Sequence, residues 1–127
     1  MSVTRSTRQL VVTLAAVFVL VTTMLPVQQV FGSGAARRDA VHAEAQHRQD
    51  AITRAKDAVA HGQQGQAEAL VTNADAALQH ALKAGEDAHV DAGITELKQA
   101  IEHGKAGHAD VATKHAEQAV THLSERK

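Results

Sequence analysis

The sequence contains no cysteine, tryptophan or tyrosine and only one proline. Without thiols it has neither a disulfide framework nor a thiolate metal site. Both methionines (Met1, Met24), both phenylalanines (Phe18, Phe31) and Pro26 fall in the first 34 residues. The chain beyond is free of Phe, Tyr and Trp, of thioethers and of proline. The full sequence also lacks a strong excess of one charge, with 13 Lys and Arg against 14 Asp and Glu, scattered rather than clustered. Nucleic-acid binding relies on a basic stripe or on stacking aromatics. Neither is present, and that class of function is excluded.

Only one long apolar run exists, "LVVTLAAVFVLVTTML" from Leu10 to Leu25. Arg5 and Arg8 precede it, Pro26 closes it, and small residues (Gly32, Ser33, Gly34, Ala35, Ala36) follow. A charged start, a mid-length apolar core and small residues beyond describe a secretory signal over residues 1–34. An uncleaved membrane anchor is the alternative, although a full span usually needs about 20 apolar residues. Both readings place residues 35–127 outside the cytoplasm, in the periplasm or otherwise exported. Contact with a membrane is expected only if the leader is retained.

The exported part repeats itself. Residues 51–81 align without a gap on 93–123 at an offset of 42. Ile52, Thr53, Lys56, Ala58, His61, Gly62, Gly65, Ala67, Ala74, Ala77 and His80 recur as Ile94, Thr95, Lys98, Ala100, His103, Gly104, Gly107, Ala109, Ala116, Ala119 and His122. Glu44 and His47 recur as Glu86 and His89. The domain therefore reads as a duplicated unit, about 43–81 and 85–123.

Each unit has the pattern of a helical hairpin. Val90, Ile94, Leu97 and Ile101 recur at threes and fours, as do Val111 or Ala112, Ala116, Ala119, Val120 and Leu123. "GQQG" (62–65) and "GKAG" (104–107) read as short connections, with Gly104 as the glycine just past a helix end. Gly85 is placed to end one helix and Asp87 to cap the next. Helices are expected near 39–61, 66–83, 88–103 and 108–124. Two hairpins with short links predict an all-α, up-down antiparallel four-helix bundle. Its core would be rich in alanine and thin. Gly93 within a helix costs about 1 kcal/mol against alanine, which close packing would offset.

Histidine is the residue the chain has in quantity. Positions at heptad spacing are His47, Arg54 and His61; Gln66, Asn73 and His80; His89, Glu96 and His103; and His108, His115 and His122. Eight of the nine histidines lie on this line, and only His42 lies off it. At about 100° per residue the line sits roughly 100° from the centre of the apolar stripe, beside the core and within reach of water. Residues seven apart on a helix are about 10.5 Å apart along its axis, whereas a metal–nitrogen bond is about 2 Å. Two histidines of one helix cannot share an ion. Histidines of neighbouring helices can, because equivalent flanks face each other in grooves.

Pairing the first helix with the second and the third with the fourth fits the pattern as well as the alternative pairing. Either choice gathers His47, His80, His89 and His122 at one end. Arg54, Asn73, Glu96 and His115 fall in the middle, and His61, Gln66, His103 and His108 at the hairpin-loop end. Glu44, Glu86, Asp57 and Glu96 are nearby carboxylates. Imidazole and carboxylate without sulfur suit Cu(II), Ni(II) or Zn(II), and the Irving–Williams order favours Cu(II). Any two or three of these histidines would pass as ordinary surface residues, and His42 is read as one.

"AVAHGQQG", "AIEHGKAGH" and "HADVATKHAEQAVTHL" resemble the small metal-binding protein family over roughly residues 40–124. The resemblance implies a periplasmic, His-rich four-helix bundle that binds several divalent cations, copper above all, for sequestration or tolerance. It carries a ligand role onto His47, His61, His80, His89, His103, His108, His115 and His122. Arg54, Gln66, Asn73 and Glu96 depart from that line, which implies a lower capacity and a richer second hairpin.

The expected function is metal buffering without catalysis, by a monomer with no obligate protein partner. Three other readings compete. A line of imidazoles can sense pH. Alanine-rich faces can dock an envelope partner, though nothing positive marks this one. "EAQH" (44–47) and "EDAH" (86–89) are two E-x-x-H motifs, as in di-metal oxidase bundles. They sit at helix beginnings, and the second and fourth helices lack the matching core glutamates. "H-E-x-x-H" is absent, so a zinc protease is not supported.

Overall fold

The computed structural model describes residues 29–125, with side chains from residue 34 onward. The leader up to residue 28 lies outside the described residues. Among the described residues there are four helices and no strand: α1 (Gln29–Gln63), α2 (Ala67–Ala81), α3 (Ala88–Lys105) and α4 (Ala109–Ser124). Contacts divide the chain into two units, Met1–Arg37 and Arg38–Lys127, and the bundle lies in the second. No helix among the described residues is long and apolar enough to cross a membrane.

Three of the four helices lie within two residues of their expected limits. The first differs: α1 begins ten residues before the expected start at 39. Residues 35–46 are rich in Ala and contain no proline, so nothing in that stretch stops the helix, which continues to Gln29 in spite of Gly32 and Gly34. All residues from 34 to 46 are exposed, so tertiary packing adds little to that stretch beyond the contact of Glu44 with the link at Gly85. Burial begins only at His47.

The core is built from alanine at helical spacing: Ala51, Ala55 and Ala58 on α1, Ala74, Ala77 and Ala81 on α2, Ala100 on α3, and Ala112, Ala116 and Ala119 on α4. Among the described residues the largest fully buried side chains are Leu70, Leu97, Leu123 and Val90. At the position left open between Val111 and Ala112, Ala112 is the buried residue. Small residues let the helix backbones come close, and glycine lets them come closer still. A Cβ at Gly62 of α1 would lie 2.0 Å from Thr113 Oγ1 of α4. A Cβ at Gly104 of α3 would lie 2.5 Å from Val71 Cγ2 of α2, and one at Gly93 would lie 2.7 Å from Leu123 Cγ. The helices thus pack in the order α1–α2–α3–α4–α1, which is the up-down bundle.

These contacts correct one expectation. Gly104 is not the glycine beyond the helix end; it is buried inside α3, on the face that meets α2. The left-handed turn falls to the second glycine of each connection, with φ of 71° at Gly65 and 82° at Gly107. Without a Cβ that backbone is unstrained. Asp87 caps α3 as its position suggested, accepting from the His89 N–H at 2.7 Å.

Candidate metal centre

Nine of the twelve positions on the heptad line are half-buried, between core and water; Arg54, Gln66 and His108 are exposed. The grooves that receive this line lie within the hairpins. In the first, Nδ1 of His47 on α1 is 3.3 Å from Nδ1 of His80 on α2. Asp50 Oδ2 is 3.7 Å from the same His80 nitrogen. In the second, Nδ1 of His89 on α3 is 2.7 Å from Glu125 Oε2, and Nδ1 of His122 on α4 is 3.9 Å from that oxygen. Each trio offers three donor atoms within 4.8 Å of one another.

The donors fit one ion in number, type and spacing. Two nitrogens held at about 2.0 Å from one ion in tetrahedral array lie roughly 3.3 Å apart, the separation found between His47 and His80. Two imidazoles and a carboxylate form an open set of borderline character, which suits a divalent first-row ion and leaves room for water. The same contacts serve as hydrogen bonds when the rings carry protons, so proton and metal compete for the same nitrogens.

Other members of the line meet one another without forming such a trio. His115 Nδ1 is 2.7 Å from Glu96 Oε2, and its ring stacks on His103 with centroids 5.3 Å apart and planes 3° from parallel. Each nitrogen lone pair lies in its ring plane, and two separate parallel planes give the rings no common point on which to converge. His103 and His108 lie 6.1 Å apart by centroid. His61 Nδ1 is 2.6 Å from Gln66 Oε1, the residue 42 positions before His108. His42 is fully on the surface.

Of the carboxylates singled out by sequence, Glu96 joins the line through His115, and Asp57 pairs with Arg54 at 3.9 Å. Glu44 leans on the link between hairpins, where a Cβ at Gly85 would meet its Oε2 at 2.8 Å. The carboxylates of the two trios, Asp50 and Glu125, went unnoticed in the sequence. For Asp50 the signal is its place three residues after His47 in one helix, since positions i and i+3 share a helix face; Glu125 lies past the end of α4, where helix spacing gives no such signal.

At the head of α3, the hydrogen bond from the His89 backbone to Asp87 holds that carboxyl below its ordinary value of 3.8. Desolvation acts the other way, and the nearby Arg48 guanidinium adds to the lowering.

Residues 10–126 match the family model described as small metal-binding protein. The chain belongs to the small metal-binding protein family. No curated protein sequence matches it. Membership of that family and two histidine–carboxylate trios agree on the same chemistry: metal ions are the partners of this fold.

Proposed function

We propose that this family member is an exported buffer for divalent transition metals that binds Cu(II) in preference to Ni(II) and Zn(II) and performs no catalysis. The observation that carries the reading is the pair of trios, His47/Asp50/His80 and His89/His122/Glu125, each spanning the two helices of one hairpin. The donors are half-buried or at the surface, so an ion can enter and leave without unfolding the bundle. Buffering needs that reversibility. The absence of sulfur disfavours Cu(I), and the Irving–Williams order ranks Cu(II) first among ions competing for such nitrogens. The leader sequence supports export to the periplasm or beyond. Glu44 and Glu86 of the E-x-x-H motifs are exposed and belong to neither trio, which supports a non-catalytic role.

Calorimetric titration of the full chain with Cu(II), Ni(II) and Zn(II) tests the reading, beside a variant with all eight heptad histidines changed to Gln. The expected result is tight binding, strongest for Cu(II), that the variant loses. Equal binding by both proteins would refute it.

A further inference from the structure

The two trios are built differently, although their histidines correspond at the offset of 42. Asp50 serves the first, and the position 42 residues on is Ala92; Glu125 serves the second, and the position 42 residues before is Lys83. Asp50 sits within α1, where the helix itself fixes its direction. Glu125 is held less firmly, its N–H donating to the Thr121 and His122 carbonyls at 3.2 Å each while its own carbonyl leaves the helix. It lies one residue past the end of α4 in extended conformation, with φ −71° and ψ 132°. A side chain on a residue that the helix grips only through its N–H is a better ligand when its carbonyl is held as well.

Arg48 of α1 does so. Its Nε donates to the Leu123 carbonyl at 2.8 Å, and its Nη1 pairs with the Asp87 carboxylate at 3.2 Å. Its Nη2 donates to the backbone carbonyl of Glu125. One planar guanidinium thus ties the last turn of α4, the residue beyond it and the cap of α3. These elements carry His122, Glu125 and His89. Arg48 side-chain exposure is only 14%, so the fork is held in place by its surroundings. The arrangement occurs once. Positions matching Arg48, Asp87 and Glu125 at the offset of 42 are Val90, Ala45 and Lys83.

We infer that Arg48 is a positioning residue for the second metal seat, fixing Glu125 against His89 and His122 from the opposite hairpin. This rests on the metal-binding reading above. Arg48 touches no ion. It pre-organises the carboxylate, and the loss of such an outer partner typically weakens metal affinity by about 10–100-fold. Arginine suits the task because its fork reaches three acceptors at once, which a lysine ammonium on a flexible stem does not.

The test uses the full chain and Cu(II) alone, with affinity read by calorimetry. A His47→Gln/His80→Gln background isolates the second seat, and His89→Gln/His122→Gln isolates the first. Arg48→Met is expected to weaken Cu(II) about 10–100-fold in the first background and to leave the other background unchanged. Glu125→Gln should weaken the second seat similarly, and adding Arg48→Met to it should cause little further loss. Equal weakening of both seats, additive losses with Glu125→Gln, or no effect of Arg48→Met would overturn the inference. If Arg48→Met does not fold, Arg48→Lys takes its place with the same expected pattern. Failure of the His47→Gln/His80→Gln protein to bind Cu(II) at all would remove the second seat itself. A null effect of Arg48 on a seat that does bind removes only the positioning role.

Discussion

His47 and His80, 33 residues apart in sequence, bring their Nδ1 atoms within 3.3 Å across the first hairpin. That separation suits two nitrogens sharing one ion, and equally a hydrogen bond in which one ring donates and the other accepts. Asp50 stands at 3.7 Å from His80 as a third donor.

Replacing His80 with Gln should therefore weaken Cu(II) at the first seat by at least about 10-fold, on the scale seen even for outer-shell losses. The second seat should keep its affinity. His61→Gln makes the contrast, because His61 meets Gln66 and belongs to neither trio. Titration of the two variants should show one seat lost in the first and both retained in the second.

Gly62→Ala tests the packing that brings the helices together. The added Cβ would lie 2.0 Å from Thr113 Oγ1 and 2.6 Å from Leu70 Cδ1, on two different helices. Neither neighbour has free space to retreat into, since Leu70 is fully buried and Thr113 is 8% exposed. Overpacking of this kind costs about 1–3 kcal/mol. Chemical denaturation should show that loss with an unchanged slope.

Metal and acid should act on stability in opposite directions. Ligand that binds only the folded chain adds RT ln(1 + [L]/Kd), about 2.7 kcal/mol when free metal is 100 times Kd. A small domain would then melt on the order of 10 °C higher. Chelator should reverse the rise. Acidification should release the metal first, because protons compete for the imidazole nitrogens. Asp87 acts at lower pH. Its native pKa is depressed below 3.8, so its stabilising effect is complete above the ordinary carboxylate range and is lost as pH falls through the native value. Thermal melts across pH, with and without Cu(II), check both signs.

Much of this architecture was legible in the sequence, because alanine, leucine and glycine at helical spacing define the helices and their inner faces. The heptad line was legible too, and its place beside the core followed from angle alone. The pairing of lines was not. Both groove choices satisfy the periodicity, and the choice depends on how closely glycine and alanine let particular backbones approach. The start of α1 was missed because an exposed alanine-rich helix carries no apolar stripe to mark it. The role of Gly104 differs from its expected one for a related reason: a glycine near a helix end resembles a terminator, and only the neighbouring helix shows that it is a packing site. Asp50 was readable from its spacing to His47. Glu125 lies past a helix end, and its placement depends on Arg48, 77 positions earlier in the chain.

Electron paramagnetic resonance of the Cu(II)-loaded full chain, with the coordinated imidazole nitrogens counted from their couplings, addresses the central claim most directly. Two imidazoles per ion, falling to one at the first seat in His80→Gln, is the predicted result. One imidazole per ion in the native chain, or a spectrum that His80→Gln and His122→Gln leave unchanged, would contradict it.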